Sequence, residues 1–586
     1  MIQDAKLHLV DSVEDAQAFL RWLGQRRPVL AIDTETTGLR PFAGDHVRLI
    51  QFGDSTEGWA LSARRWYGVV EQAMSGLVAD RAPIVFHNAN FDLHFMDNAG
   101  WPLPMFRNIH DTYVMDHLLN PIRSHKLKHV AERLWPGSGV GEVVLKDVFR
   151  KEKLGWATVP EDRVEYWGYA AMDTVITART AETLWQQVNA LGLREAYDRE
   201  MAVQGIAWGM EKRGIVVDLR YSGTLLEEWR MEIELLVGEL RDLGVHNANA
   251  NKQIAIALQL TEDWEPDEWT VTGQPKLDSA VLKGIDSEIS RQVLRYRRLT
   301  KWSSAYLGNF IQGADSNSRI HPSINTLQAR TGRMSYSGPS FQNIPRGRAI
   351  HRAIIPSEGN VIYTVDYDSM EARFFAHYAQ DPGLIAACIA DVDIHTYSAR
   401  LMYRDPTIGK KDPRRQKAKN GRFCRIYGGG PGKLADTIGV TEAEAREFIA
   451  NDDQTFPGIR TFMRKVEQVA RERSIIEGLP YVTSIGGRRL VTEPDKLYKA
   501  TNYLIQGGCA DLLKTKIIEM DAAGLTPYML LFVHDETVLD VPAGKEGEEI
   551  AHEVARIMRE EKMLSVPLTC EPEGPFDTWG DKYPAD

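Results

Sequence analysis

Two hydrophobic patterns alternate along the chain: short apolar runs closed by polar turns, and longer stretches with apolar residues every three to four positions. Near the N-terminus PVLAIDTETTGL and VRLIQFGD predict neighbouring strands, and GWALS predicts a short third. IVFHNANFDLHFMDNAG passes from a strand into a helix, and VEYWGYAAMDTVITARTAETLW has the length and periodicity of a long helix. From about 190 to 311 the pattern is mainly helical and charge-rich, most clearly in YRRLTKWSSAYLGNF. Breaks such as TVTGQPKL and SYSGPSFQNIP read as surface loops or turns, and there is no internal repeat or low-complexity stretch.

Two further β-prone runs end in acid. VIYTV leads into Asp366, and YMLLFV leads into His534-Asp535-Glu536. A carboxylate at the end of a buried strand is costly unless a cation neutralises it. Neighbouring strand residues face opposite ways, so Asp535 and Glu536 are not equivalent ligands. The natural arrangement has Asp366 and Asp535 sharing metal ions with Glu536 peripheral, which suits in-line phosphoryl transfer. An ordinary hairpin turn is the plainer reading of HDE.

In RRQKAKNGRFCRIYGGG, Arg415, Lys419, Phe423 and Tyr427 recur every four residues, forming one ridge that ends at Gly428, Gly429 and Gly430. Two cations followed by two aromatic rings can hold a polyphosphate against a base or sugar. The alternative is a solvated basic face with its aromatics turned to the core.

The N-terminal region holds a separate acidic set. Asp33 and Glu35 in DTET share one face of a strand; Asn88 and Asp92 sit four apart at a helix start; Tyr169 and Asp173 share one face of the long helix. Together Asp33, Glu35, Asp92 and Asp173 could bind two hard cations, with Tyr169 orienting a water. Independent surface acids are the bland alternative.

Composition adds bounds. At 586 residues the chain exceeds one core and implies several domains. Hydrophobic content of 43% and charged content of 26% are ordinary for a soluble globular protein. There is no membrane-length apolar run and no signal-peptide core in MIQDAKLHLV, and the four cysteines form no CxxC pair. These features predict a reduced, cytoplasmic protein without membrane association. A net charge of −11 looks wrong for a nucleic-acid partner, yet nine Lys or Arg residues lie between Arg404 and Arg425 against only Asp405 and Asp412.

The acid at Asp366, the Arg415–Tyr427 ridge and His534-Asp535-Glu536, in this order, resemble the three motifs of family A DNA polymerases, the DNA polymerase I class. TGRMSYSGPSFQNIP, DIHTYSA, YVTSIGGRRL and NYLIQGGCADLLK resemble further family segments in family order, so the likeness covers nearly the whole chain. The N-terminal acids resemble the three motifs of DEDDy 3′–5′ exonucleases over roughly residues 1–190. The implied fold is α/β and α+β multidomain: an RNase H-like exonuclease domain (1–190) followed by a right-hand polymerase with thumb (191–311), first part of the palm (312–395), fingers (396–499) and second part of the palm (500–586).

The resemblance implies template-directed primer extension with dNTPs and proofreading, of the bacteriophage replicative kind, in the host cytoplasm if phage-encoded. Asp366 and Asp535 would bind two catalytic Mg²⁺ ions with Glu536 nearby, and the exonuclease acids two divalent ions, Mn²⁺ being an alternative. Arg415, Lys419 and His395 would contact the triphosphate, Lys419 also donating a proton to the leaving group. Phe423 would pack on the sugar, Tyr427 near the nascent pair, and Glu371 would be the steric gate. Arg333 and Gln506 would read the minor groove, with Asn343 and Asn502 as further DNA contacts. Partners implied are primer-template DNA and dNTPs, with a replisome helicase, primase or single-strand binding protein as candidate accessories. A monomer is expected, with no thioredoxin-binding insertion and no preceding 5′-nuclease domain. The sequence departs from the family at Gly347, where cellular members often carry Arg and where Arg346 and Arg348 are both candidates to substitute, and in SMEARF around Glu371. Two rival classes are a 3′–5′ exonuclease whose polymerase-like half only grips DNA, and a non-catalytic primer-template clamp.

Overall fold

The computed structural model describes residues 4–138, 140–390 and 393–584. A mixed six-stranded sheet forms the N-terminal body from Lys6–Val10 (β1), Ala31–Thr36 (β2), Val47–Gly53 (β3), Glu57–Ser62 (β4), Ile84–Phe86 (β5) and Ile109–Asp111 (β6), in the order β1-β4-β3-β2-β5-β6. The runs around Asp33, Arg48 and Trp59 are the neighbouring strands that their patterning predicts. β2 pairs antiparallel with β3, placing Asp33 opposite Gln51 and Glu35 opposite Leu49. Phe19, Phe52, Phe86 and Phe95 fill the core, all 1% exposed or less.

Helix Ala89–Asn98 (α1) follows β5, the short Leu127–Leu134 (α2) follows later, and the long Val164–Ala190 (α3) crosses the sheet. Its close approach depends on two glycines. A Cβ at Gly58 would lie 2.3 Å from the carbonyl oxygen of Ala171, and one at Gly53 would lie 2.2 Å from Thr174 Oγ1. The small residues thus let α3 settle onto β3 and β4, carrying Asp173 towards the strand that bears Asp33 and Glu35.

Helix Arg194–Arg213 (α4) joins the two bodies. Its first half packs Ala196, Tyr197 and Met201 into the N-terminal core, and its second half packs Ile206, Ala207 and Met210 into the next one. At its middle, Glu200 is fully buried and meets both Arg488 and Lys514, while Arg488 and Arg199 both reach Asp511. Opposite charges removed together from water are stable only when matched this closely.

The second body is built on an antiparallel sheet of Asn360–Tyr367 (β7), Met529–Val533 (β8), Glu536–Pro542 (β9) and Cys570–Phe576 (β10), ordered β8-β9-β7-β10. Leu219–Asp242 (α5) and Glu288–Trp302 (α6) run alongside one another and carry a small separate core of Leu240, Leu258, Leu282 and Val293. Met370–Ala379 (α7) packs against Ala500–Ala522 (α10), and Ile394–Tyr403 (α8) packs against Pro413–Ile426 (α9).

One expectation needs correction. SYSGPSFQNIP is not simply a surface loop: Ser335–Ser337 is a strand, and Tyr336 and Phe341 are 3% and 1% exposed. The phenol of Tyr336 accepts the amide hydrogen of Phe532 at 3.0 Å, anchoring the segment under β8. A turn-like composition conceals two buried aromatics.

Candidate active sites

On β2 the alternation of the strand points Asp33 and Glu35 to one side, and α3 brings Asp173 over them. Carboxylate oxygens of these three residues lie within 4.8 Å of one another. Asp92 stands apart from that trio. It is buried on α1 and accepts a hydrogen bond from Thr34 Oγ1 at 2.6 Å. Burial raises the pKa of Asp33 to about 6, against the pull of Lys128, and lifts Glu35 and Asp92 well above the usual carboxylate range, with Asp33 adding to both. Such crowded acids call for a cation. The ammonium of Lys128, on α2, forms an ion pair with Asp173 and lies 4.2 Å from the centroid of the Tyr169 ring. Burial lowers Lys128 to about 8, opposed by Asp33 and Glu35. Three convergent carboxylates form a donor set of hard oxygens that fits a divalent ion.

The other acidic site forms at the end of β7 and in the tight turn between β8 and β9. HDE is therefore both a hairpin turn and a site. His534 has φ of 60°, Glu536 opens β9 opposite Asp366, and the Asp535 carbonyl accepts the Tyr367 amide hydrogen at 3.4 Å. Asp366 faces the cleft, and its pKa is raised to about 7 by withdrawal from bulk water and then by Asp535 and Glu536. Asp535 is raised by burial, with Arg333, His534 and Lys419 pulling the other way. Glu536 is held aside: Lys582 Nζ lies 3.0 Å from its carboxylate and the Trp579 indole donates to it at 3.3 Å. That leaves Asp366 and Asp535 as the pair open to a divalent cation.

Helix α9 lines the same cleft with the predicted ridge, but its cations are not equally available. Arg415 Nε donates to Asp393 at 2.6 Å, holding that carboxyl well below its usual range, although burial opposes the effect. Arg414 pairs with Asp405 and Asp412, and Arg422 and Arg425 converge on the buried Asp452. Four of the nine cations between Arg404 and Arg425 are thus engaged by carboxylates, so the charge count overstates the free patch. His395 is 5% exposed, 5.9 Å from Phe423 between ring centroids, and burial lowers it to about 3, keeping it neutral. The Tyr427 hydroxyl, just past the helix end, accepts from Gln506 Nε2 at 3.1 Å.

Arg333 and Glu371 form an ion pair, and both line a pocket with Cys509, His534 and Asp535. The turn that carries Arg333 needs Gly332: its φ is +77°, and a Cβ there would lie 2.6 Å from the Arg488 guanidinium carbon. Asn502 and Gln506 are one turn apart on α10, whereas the exposed Asn343 donates to Ser340 Oγ at 2.8 Å. Of the two arginines flanking Gly347, Arg348 pairs with Asp581, while Arg346 stays exposed beside the groove between α5 and α6.

Comparison with known proteins decides the family. The profile described as DNA polymerase family A matches residues 220–581, and that described as 3′-5′ exonuclease matches 7–189. The chain belongs to DNA polymerase family A. It is 30% identical to a DNA polymerase of Mycobacterium phage D29, over 99% of this chain and 98% of that protein. It is 28% identical to DNA polymerase I of Pseudomonas aeruginosa, over 98% of this chain and 66% of that one. A solved structure, the POL domain of Pol1 from M. smegmatis in complex with DNA primer-template and dNTP, superposes with a TM-score of 0.78 at 22% identity, covering 98% of this chain and 99% of that one.

Several residues that shape this polymerase's two sites escape the sequence reading. Lys128 sits beside the apolar stripe Leu127, Val130, Ala131 and Leu134, where a lysine reads as solvated. Lys582 and Trp579 come from a short helical turn far along the chain from Glu536. Glu200, Arg488, Lys514 and Asp511 carry no spacing signal, since they meet only through the fold. A charged residue in an otherwise buried helical face is the one hint available, at Glu200 and Lys514.

Proposed function

We propose that this family A polymerase extends a primer 3′ end on a DNA template through the cleft of Asp366 and Asp535, and trims that end at Asp33, Glu35, Asp92 and Asp173. The juxtaposition of Asp366 with Asp535 beside a cationic and aromatic ridge carries the reading. The M. smegmatis neighbour, solved with DNA primer-template and dNTP, supports the same partners here. Divalent ions, two Mg²⁺ at the polymerase site and two divalent ions, Mg²⁺ or Mn²⁺, at the exonuclease site, would supply Lewis-acid stabilisation of the phosphoryl charge.

The chain's own residues would do the rest. Lys419 and Arg415 would engage the triphosphate, Arg415 by exchanging Asp393 for a phosphate oxygen, and neutral His395 by hydrogen bonding. The primer 3′-hydroxyl attacks the α-phosphate, pyrophosphate leaves, and Lys419 donates the proton it takes. Phe423 packs on the sugar, Tyr427 lies under the new pair, and Glu371 excludes a 2′-hydroxyl. Arg333, Gln506, Asn343 and Asn502 hold the duplex without selecting bases. At the other site Tyr169 orients the hydrolytic water. The thumb, fingers and palm assignments go with this reading, as do a replicative role and a cytoplasmic location.

A labelled primer annealed to template tests it. Extension with dNTPs and Mg²⁺, and shortening when dNTPs are withheld, are expected. Shortening under both conditions would favour a nuclease with a DNA-gripping half, and an unchanged primer would overturn both activities.

A further inference from the structure

Lys128 is a charged group buried against the exonuclease acids whose place neither the family match nor the motif spacing accounts for. Its ammonium pairs with Asp173 Oδ1 and lies over the Tyr169 ring, on the side of the cluster where Asp33, Glu35 and Asp173 converge. Its side chain is 13% exposed, so water neutralises little of its charge. Asp173 has little freedom to serve two cations. It is anchored on α3, whose seat on Gly53 and Gly58 leaves no room to shift inward. Lys128, by contrast, is a long unbranched side chain on an eight-residue helix, and an ammonium is a compact charge on a flexible stem.

We propose that Lys128 is a built-in cation that competes with divalent ions for Asp173 and so sets the metal concentration at which the exonuclease site fills. This rests on the reading that Asp33, Glu35 and Asp173 hold divalent ions. Binding of the ion displaces the ammonium from Asp173 and, with it, from the Tyr169 ring, so metal occupancy and release of Tyr169 become one event. The polymerase site is built differently: the nearby ammonium of Lys582 engages Glu536 and Glu573 rather than Asp366 or Asp535. Divalent ion concentration would therefore tip the balance between extension and trimming, with trimming favoured only once Lys128 is displaced.

The test is Mn²⁺ binding to the full chain, read as free Mn²⁺ by electron paramagnetic resonance, with Asp366→Asn and Asp535→Asn present to silence the other site. Lys128→Met should tighten binding by at least roughly tenfold, because the competing charge of a buried pair is gone. Lys128→Arg should bind no more tightly than the parent. Unchanged or weaker binding in Lys128→Met would overturn the proposal and leave Lys128 as a structural pillar. Asp173→Asn separates the two claims: if it leaves Mn²⁺ binding intact, the metal-site reading itself fails. Should Lys128→Met not fold, amine labelling of the unsubstituted chain decides instead. Labelling of Lys128, measured by mass spectrometry, should rise when Mn²⁺ is added, and a label yield indifferent to Mn²⁺ would overturn the competition.

Discussion

In the exonuclease domain three acids face one another with a largely buried ammonium paired to one of them, and the covering helix is fixed to the sheet by two glycines. In the polymerase half the acids sit at a strand end and in a hairpin turn, opening onto a cleft whose cations stand on other elements. Arg333 and Lys419 approach Asp535 from a turn and from α9, and Lys582 removes Glu536 from contention. One site is closed and carries its own counter-charge. The other stays open, and the cations that reach its acids stand across the cleft. On the proposed reading, a small, single-stranded end and a bulky duplex with a triphosphate place those different demands on otherwise similar carboxylates.

The largest effects should come from breaking each set separately. Asp535→Asn keeps the side chain's shape and removes the charge that holds a metal, so primer extension should fall by about a thousandfold or more, several kcal/mol of transition-state stabilisation. Trimming of a single-stranded 3′ end should persist. Asp33→Ala with Glu35→Ala should give the mirror image. Loss of both activities in either variant, measured on the same labelled primer, would mean the two sites are not independent.

The comparison also shows what the sequence makes legible. Asp33 and Glu35 are readable because a strand repeats every two residues. Asp366 and Asp535 are readable because an acid that closes a buried apolar run must have a cation to neutralise it. The counter-charges are not readable. Lys128, Lys582 and Arg488 reach their acids from elements distant in the chain, and nothing in local spacing reveals a long-range ion pair. Asp92 shows a milder form of the limit: its helix position is predictable, but the hydrogen bond it accepts from Thr34 is not. The basic run before Gly428 misleads in the opposite sense, since Asp393 and Asp452, which lie outside it, tie up three of its arginines.

An intermediate effect is expected at the Arg333–Glu371 pair, which borders the open site. On the proposed reading the Glu371 carboxylate closes the space a 2′-hydroxyl would need and leaves such a group without a partner, so Glu371→Ala should admit ribonucleotides. The ratio of dNTP to rNTP incorporation efficiency should fall by on the order of tenfold to a hundredfold, the equivalent of about 1.4 to 2.7 kcal/mol of discrimination. The same substitution frees Arg333, so extension with correct dNTPs should slow as well. An unchanged ratio would shift the gate to Tyr427, whose hydroxyl lies within reach of Gln506.

The smallest effect is the most selective, and it concerns the ring that the proposed reading sets against the incoming nucleotide. Phe423 is half-buried on α9, between His395 and Tyr427, with ring centroids 5.9 and 6.5 Å away. It offers no hydrogen bond, so the incoming nucleotide's own 3′-hydroxyl must supply the polar contact to its triphosphate. Dideoxynucleotides lack that hydroxyl and should be strongly disfavoured. Phe423→Tyr places a hydroxyl on the protein side and compensates for the missing group. Discrimination should weaken by at least roughly tenfold, the kinetic equivalent of about 1.4 kcal/mol. Chain termination by the two proteins at a fixed ddNTP:dNTP ratio measures it. If Phe423 is instead only a packing residue of the helix, the added hydroxyl is buried beside neutral His395 without a partner, stability falls, and nucleotide choice stays as it was. Equal termination by a less stable variant would therefore take the ring out of the nucleotide site.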